Sequence, residues 1–201
     1  MVHQPLTDRI DPRCTRSQQR VLAAAVELLR EEGLHGLTFE AVAARSGVAK
    51  TTIYRHYADR EAMHLAAVES VGPAFVMPIS DDLLADFTAF LEALNHTLHH
   101  SDFGAILLTA LDGAERSARV EHLARTAANQ RRSIVITRLE NAQRAGRIVD
   151  DADLELVCDE LVGPLFYRRF MSRQPASAAF VARLTNDVLA PLLRPAAATP
   201  P

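Results

Sequence analysis

Apolar residues recur at helical spacing along nearly the whole chain, and the pattern lengthens beyond residue 73. In "SQQRVLAAAVELLREEG", Val21, Ala25 and Leu28 fall at i, i+4 and i+7, which predicts a helical face stopped by Gly33. Thr15 and Gln18 have the spacing of a capping box at its start. "LTFEAVAARSG" predicts a short second helix with Thr38 as N-cap and a stop at Ser46-Gly47. "VAKTTIYRHY" reads as a third, and Asp59 caps a fourth, "REAMHLAAVESV", which ends at Gly72-Pro73.

The later segments are longer. "DDLLADFTAFLEALNHTLHH" places Leu83, Phe87, Phe90, Leu91 and Leu94 on one side. "FGAILLTAL" is almost wholly apolar and reads as buried. A polar-rich helix is expected from about Glu115 to Ala145, stopped by Gly146. Asp150 or Asp151 would open "DADLELVCDELVGPLFYRRFMSR", closed by Pro175, with Gly163-Pro164 predicting a kink inside it. "SAAFVARLTNDVLAPLL" sets Phe180, Leu184, Val188 and Leu192 at successive i+4 steps. No strand pattern and no internal repeat occurs. The expected fold is all-α with about nine helices: a flexible arm (1–14), a helix-turn-helix domain (15–72), a helical bundle (73–195) and a disordered tail (196–201).

Composition agrees and narrows the class. The 201-residue chain is 48% hydrophobic, rich in Ala and Leu, and has no Trp. Its net charge of -3 argues against coating in nucleic acid but leaves room for a local basic patch. Cys14 and Cys158 lie far apart without CxxC spacing and read as reduced thiols. The N-terminus lacks the apolar core of a signal peptide, and no run reaches the ~20 residues of a membrane span. A cytoplasmic protein without membrane attachment is expected.

The candidate chemistry lies in "GVAKTTIYRHYADREAM", which contains the chain's only lysine, Lys50. Two short helices joined through Ser46-Gly47 fit a helix-turn-helix. A recognition helix enters the major groove by its N-terminal end, so small residues and donors are needed there. Ala49, Lys50, Thr51 and Thr52 supply that end, and Ile53 would anchor the opposite side in the core. Tyr54, Arg55, His56 and Tyr57 offer donors to phosphates and base edges. From Arg45 to Arg60 four cations stand against one acid, Asp59, the local excess that phosphate binding requires.

"RVLAAAVELLREEGLHGLTFEAVAARSGVAKTTIYRHYADREAM" resembles the DNA-binding domain of the tetracycline-repressor-like (TetR) family of regulators. The family's Gly-Val-Ser-Lys entry, Leu-Tyr-x-His-Phe run and Ser-Lys-Glu cap appear here as "GVAK", "IYRHY" and "ADREA". Tyr57 replaces the usual Phe and Arg60 the usual Lys, and Arg and Lys differ in geometry. The resemblance implies that Lys50 and Tyr54 grip phosphates, that Thr51 and Thr52 sit at base edges, and that Thr38 donates to phosphate. Ala49 stands at the close approach, Arg55 and His56 serve bases or backbone, and Arg60 lies at the fourth helix's amino end.

It also implies a homodimer on double-stranded DNA, with the last two helices of each subunit in a four-helix interface. Leu161, Leu165, Arg168, Phe180, Leu184, Val188 and Leu192 are the expected interface residues. A small-molecule effector, with no cofactor, would occupy the bundle. Phe87, Phe90, Leu94, Phe103, Leu107 and Phe166 are expected to line that pocket, with His96, His99, His122, Arg125, Asn129 and Tyr167 orienting the ligand. The implied function is a repressor that leaves a palindromic operator when the effector binds.

Rival classes fit less well. No GxSxG, P-loop or HExxH occurs. A di-iron bundle needs two Glu-x-x-His units, and only Glu61 to His64 is present, so no enzyme is expected. His96 and His100 have a workable metal spacing near Asp102, yet nothing obliges a third ligand. A solvated cluster at a helix end is the plainer reading, and no metal is expected.

Overall fold

The computed structural model describes residues 12–72 and 75–194, with side chains from Arg16 onward. Among the described residues there are nine α-helices: α1 (Pro12–Gly36), α2 (Phe39–Ser46), α3 (Lys50–His56), α4 (Arg60–Val71), α5 (Leu83–His100), α6 (Asp102–Ala114), α7 (Ala118–Arg144), α8 (Leu154–Tyr167) and α9 (Ala178–Leu189). A π-turn (Arg168–Ser172) and a short 3-10 turn (Ala190–Leu192) follow α8 and α9. The all-helical fold read from the periodicity is the one observed. The expected tail lies outside the described residues, as do residues 1–11 of the expected arm.

α1 opens at Pro12, upstream of Thr15, which therefore lies inside the first turn and does not cap it. Proline suits that position, because its missing N–H would have no partner there anyway. Gly33 (φ 67, ψ -159) breaks the helical path where the sequence placed the stop. Thr38 Oγ1 accepts from the Ala41 amide at 3.1 Å and starts α2. Asp59 Oδ1 does the same for Ala62 at 2.8 Å and starts α4.

The chain divides into two units. The first holds residues up to Gly72 and also 106–120, a return with no counterpart in the contiguous division expected from the sequence. Its core joins Val21, Ala25, Leu28 and Leu29 of α1 to Val42, Ile53, Tyr57, Met63 and Ala67, with Ile106 and Ala110 from α6. His64 of α4 is buried in the same unit and meets Thr109 of α6.

Of the described residues, the second unit takes 75–105 and 121–194. Leu83, Phe87, Phe90, Leu91 and Leu94 form the buried side of α5. Asp86 is buried and paired with buried Arg138 of α7 at 2.6 Å, while Ser80 donates its amide and hydroxyl to the same carboxylate. Asn95 uses both ends of its amide on the backbone of Ala176, donating at 2.9 Å and accepting at 3.2 Å. Arg132 of α7 reaches Glu155 at 2.7 Å and also Asp159 on α8.

α8 is capped by Asp153, which accepts from the amides of Glu155 and Leu156, both at 3.1 Å, and not by Asp150 or Asp151. Asp150 instead pairs with Arg194 at 2.6 Å, and Asp151 lies exposed ahead of the cap. The helix runs on through Gly163-Pro164 to Tyr167, and its regular ladder gives way just beyond, at the π-turn. Arg173 (φ 56) ends that turn in the left-handed region. Among the described residues, the lone β-type pairing is the bridge between Ile148 and Leu193.

Candidate nucleic-acid interface

The turn between α2 and α3 rests on Gly47, whose φ of 65 is in the left-handed region. Its amide donates to the Ala43 carbonyl at 3.0 Å. A Cβ at Gly47 would meet Arg20 Nη2 at 2.8 Å, and that same guanidinium donates to the Ser46 carbonyl. Ser46 Oγ then accepts from the Val48 amide at 3.2 Å. Backbone groups that no helix could satisfy are thus paired by α1 and by a buried serine.

α3 buries one side and exposes the other. Ile53 is wholly buried, and Val48 and Tyr57 flank it in the core. Burial pushes the Tyr57 phenol above its usual pKa, and Gln18 beside it draws it partly back. Ala49, Lys50, Thr51, Tyr54 and Arg55 are exposed, whereas Thr52 and His56 are half-buried. Thr38 is half-buried at the α2 N-terminus and Arg60 exposed at the start of α4. All the residues chosen from the sequence are thus at least partly open, and Ala49, Thr51 and Thr52 put small side chains at the N-terminal end of α3.

The charge on this side is smaller than a count along the chain suggests. Arg45 is engaged by Glu31 at 2.7 Å and Glu27 at 3.9 Å, both on α1. Lys50 Nζ donates to Glu40 Oε1 at 2.7 Å. That bond, chiefly, holds the Glu40 carboxyl below its usual range. The lone acid counted in the segment, Asp59, is held low by the Ala62 amide first and then by Arg119. Phe39 and Glu40, which the sequence reading passed over, both reach α3. The Phe39 ring lies on Tyr54, centroids 4.1 Å apart and planes within 19°. The signal for them was positional: they directly follow the Thr38 cap.

Residues expected around an effector divide by burial. Phe87, Phe90, Leu94 and Phe103 are buried, and Leu107 and Phe166 half-buried. Phe75, unforeseen, meets Phe90 at 5.9 Å and Phe103 at 6.2 Å, and Arg131 lies over the Phe103 ring at 5.2 Å. His96, His122, Arg125, Asn129 and Tyr167 are exposed, so they do not belong to an enclosed site. Arg125 is engaged by Glu121 one helical turn away. His99 is better placed: its Nδ1 donates to the Asn95 carbonyl at 2.9 Å, leaving Nε2 buried as an acceptor without a partner among the described residues.

Of the expected dimer residues, Leu161 and Leu165 are wholly buried within the subunit and have no surface to give a second copy. Phe180, Leu184, Val188 and Leu192 are half-buried along one side of α9 and the turn after it. Arg168 lies over Phe180 at 4.5 Å. Leu156, Tyr167 and Met171, 54%, 62% and 71% exposed, continue apolar surface on α8 and the π-turn. His96 and His100 face each other at 4.8 Å, and no group of three ligating side chains suited to a metal occurs among the described residues. No helix among them is long and apolar enough to cross a membrane.

A helix-turn-helix whose second helix is exposed along a small, hydroxyl-bearing end defines a DNA-binding transcriptional regulator. Residues 21–67 match the family model described as "Bacterial regulatory proteins, tetR family". Residues 77–188 match that described as "Tetracyclin repressor-like, C-terminal domain". The chain belongs to the TetR family of regulators and not to an enzyme family. It is similar to the DNA-binding transcriptional repressor TetR of Mycobacteroides abscessus, 28% identical over 186 residues, with 88% of this chain and 94% of that protein covered. Among solved structures it resembles the TetR family transcription regulator SCO0332, with 33% identity, a TM-score of 0.66, and 89% and 100% of the two chains covered. The fold is shared with FadR of Bacillus subtilis, solved with stearoyl-CoA, at 20% identity, a TM-score of 0.68, and 87% and 97% coverage.

Proposed function

We propose that this regulator is a homodimeric, ligand-responsive repressor that binds a palindromic operator and is released by a small-molecule effector. The observation that carries the reading is the open side of α3, where Lys50, Thr51 and Tyr54 stand exposed above a wholly buried Ile53. Lys50 and Tyr54 hold phosphates, with Thr38 and Arg60 at the ends of neighbouring helices. Thr51 and Thr52 meet base edges at the helix's entering end, where Ala49 allows close approach. Arg55 and His56 extend the contact along the groove.

The half-buried stripe from Phe180 to Leu192, together with Leu156, Tyr167 and Met171, supplies apolar surface for a second copy. The effector is a largely apolar molecule taken within the second unit among Phe75, Phe87, Phe90, Leu94 and Phe103, with Phe166 contributing. His99 Nε2 offers an acceptor for one N–H or O–H of that molecule. That FadR was solved with an acyl-CoA supports an apolar ligand class. By linkage, the effector binds the DNA-free state more tightly than the DNA-bound one. The protein acts where the chromosome is, in the cytoplasm.

Selection of sites from random duplex DNA at two salt concentrations tests this. The expected result is an enriched palindrome, its half-sites about 34–36 Å apart, with affinity falling steeply as salt rises. A folded dimer that enriches nothing, with or without candidate acyl ligands, defeats the reading.

A further inference from the structure

An acid stands on the DNA-facing side of the helix-turn-helix. Glu40, in the first turn of α2, is exposed and takes Lys50 Nζ at 2.7 Å. Lys50 is the first residue of α3, the end of a recognition helix that meets base edges. The Phe39–Tyr54 stack, from the residue beside Glu40 to the same helix, fixes the two helices under this pair. The carboxylate is thus presented on a rigid support, with one oxygen steered by Lys50.

A lone carboxylate beside a phosphate backbone is repelled. Lys50 offsets that charge and leaves an acceptor held beside a donor. On the major-groove edge, adenine's N6 amino group is flanked on both sides by acceptors, its own N7 and thymine O4. Cytosine's N4 amino group has an acceptor, guanine O6, on one side only, and C5–H on the other. A carboxylate aimed at adenine meets repulsion from both flanks. Aimed at cytosine it meets one acceptor, on the side where a neighbouring ammonium can be accommodated.

We propose that Glu40 is a specificity-determining residue, its carboxylate steered by Lys50 to accept from the N4 amino group of one cytosine in each operator half-site. The inference rests on the reading of α2–α3 as the DNA-binding element. Lys50 keeps two further N–H donors for phosphate, so both roles are compatible.

The test is site selection with the full-length wild type, Glu40→Ala and Glu40→Gln, followed by binding to the selected duplexes with each half-site position varied. Wild type should select cytosine at one symmetry-related position. Glu40→Ala should lose that preference, roughly tenfold against the other three pairs, while the remaining positions keep theirs. Glu40→Gln should move the preference toward adenine, whose N6 and N7 match a carboxamide. Should the alanine variant lose helicity, the glutamine variant decides. The same operator from all three proteins, with affinity raised equally for every sequence, would overturn the proposal, since Glu40 would then only mask Lys50. Preference falling evenly at all positions overturns it too. A wild type that selects nothing removes the DNA-binding reading and this one with it, and is told apart because no variant is needed to see it.

Discussion

His64 Nε2 lies 3.0 Å from Thr109 Oγ1, and that hydroxyl donates in turn to the Ile106 carbonyl at 2.6 Å. The threonine proton is committed, so His64 must be the donor and carries its proton on Nε2. Burial first, then the Arg60 charge, lowers its pKa to about 4 from the ordinary 6.5. The sign follows from proton counting. Between those values the unfolded chain binds the proton and the folded one does not, so stability rises with pH across that window. Urea denaturation should show a loss on the order of 2–3 kcal/mol between pH 7 and pH 4. In His64→Gln this share of the slope should vanish. An unchanged slope would show that His64 titrates normally.

Lys50→Ala should weaken binding to every duplex, reduce the slope of log affinity against log salt by about 1, as one lost phosphate contact does, and blunt preference only at the cytosine position that Glu40 reads. Tyr54→Phe is the cleaner test of the tyrosine, because the ring must stay to cover Phe39. Its affinity should fall with the melting temperature unchanged. Thr51→Ala and Thr52→Ala should instead alter which operator is selected. All four are read by titration of fluorescent duplexes.

The Asp86–Arg138 pair is buried on both sides, at 3% and 8% side-chain exposure. Burial raises the Asp86 carboxyl, but Arg138 and the two Ser80 donors outweigh it and hold it below the usual range. Asp86→Ala would strand a buried guanidinium and should cost about 3–5 kcal/mol in chemical denaturation. The double substitution Asp86→Leu, Arg138→Met should recover much of that loss. If the single change were as mild as the double, the pair would be neither buried nor coupled.

Cys158 is buried, and that burial pushes its thiol up to about 11, Arg132 only partly opposing. At pH 8 it should be overwhelmingly protonated and slow to react. In a Cys14→Ser background, labelling by an aromatic disulfide should stay slow until denaturant is added. Rapid labelling of the native protein would contradict the burial.

Leu184→Glu should shift the protein toward monomer in sedimentation while leaving its helicity intact, since Leu184 is half-buried on the α9 stripe. Leu161→Glu should unfold the second unit instead, because that side chain is wholly enclosed. A dimer unaffected by the first change would place the interface elsewhere.

Helix faces and caps were legible because they are local. Val21, Ala25 and Leu28 are buried as their spacing implies, and Thr38 and Asp59 accept the amides a cap must accept. The α8 cap was not legible, because three aspartates stand within four residues and composition alone does not choose among them. Side-chain partners across helices were not legible. Nothing along the chain links Lys50 to Glu40 or Arg45 to Glu31, because each pair meets only once the turn at Gly47 and the packing against α1 are in place. Nor did periodicity separate Leu161, enclosed by its own subunit, from Val188, which is half open. A helix apolar around most of its circumference does not say which side closes first.

The return of residues 106–120 to the first unit bears on how modular this regulator is. A fragment cut at the linker near residue 73 would keep every side chain expected to touch DNA, yet lose Ile106, Ala110 and Thr109. The core shared by α1–α4 and α6 would lose its α6 members, and the His64 imidazole would be left without its acceptor. Grafting the reading head onto another regulator therefore calls for two seams, one on each side of the α6 segment, and a single exchange at the linker yields a head with an open core.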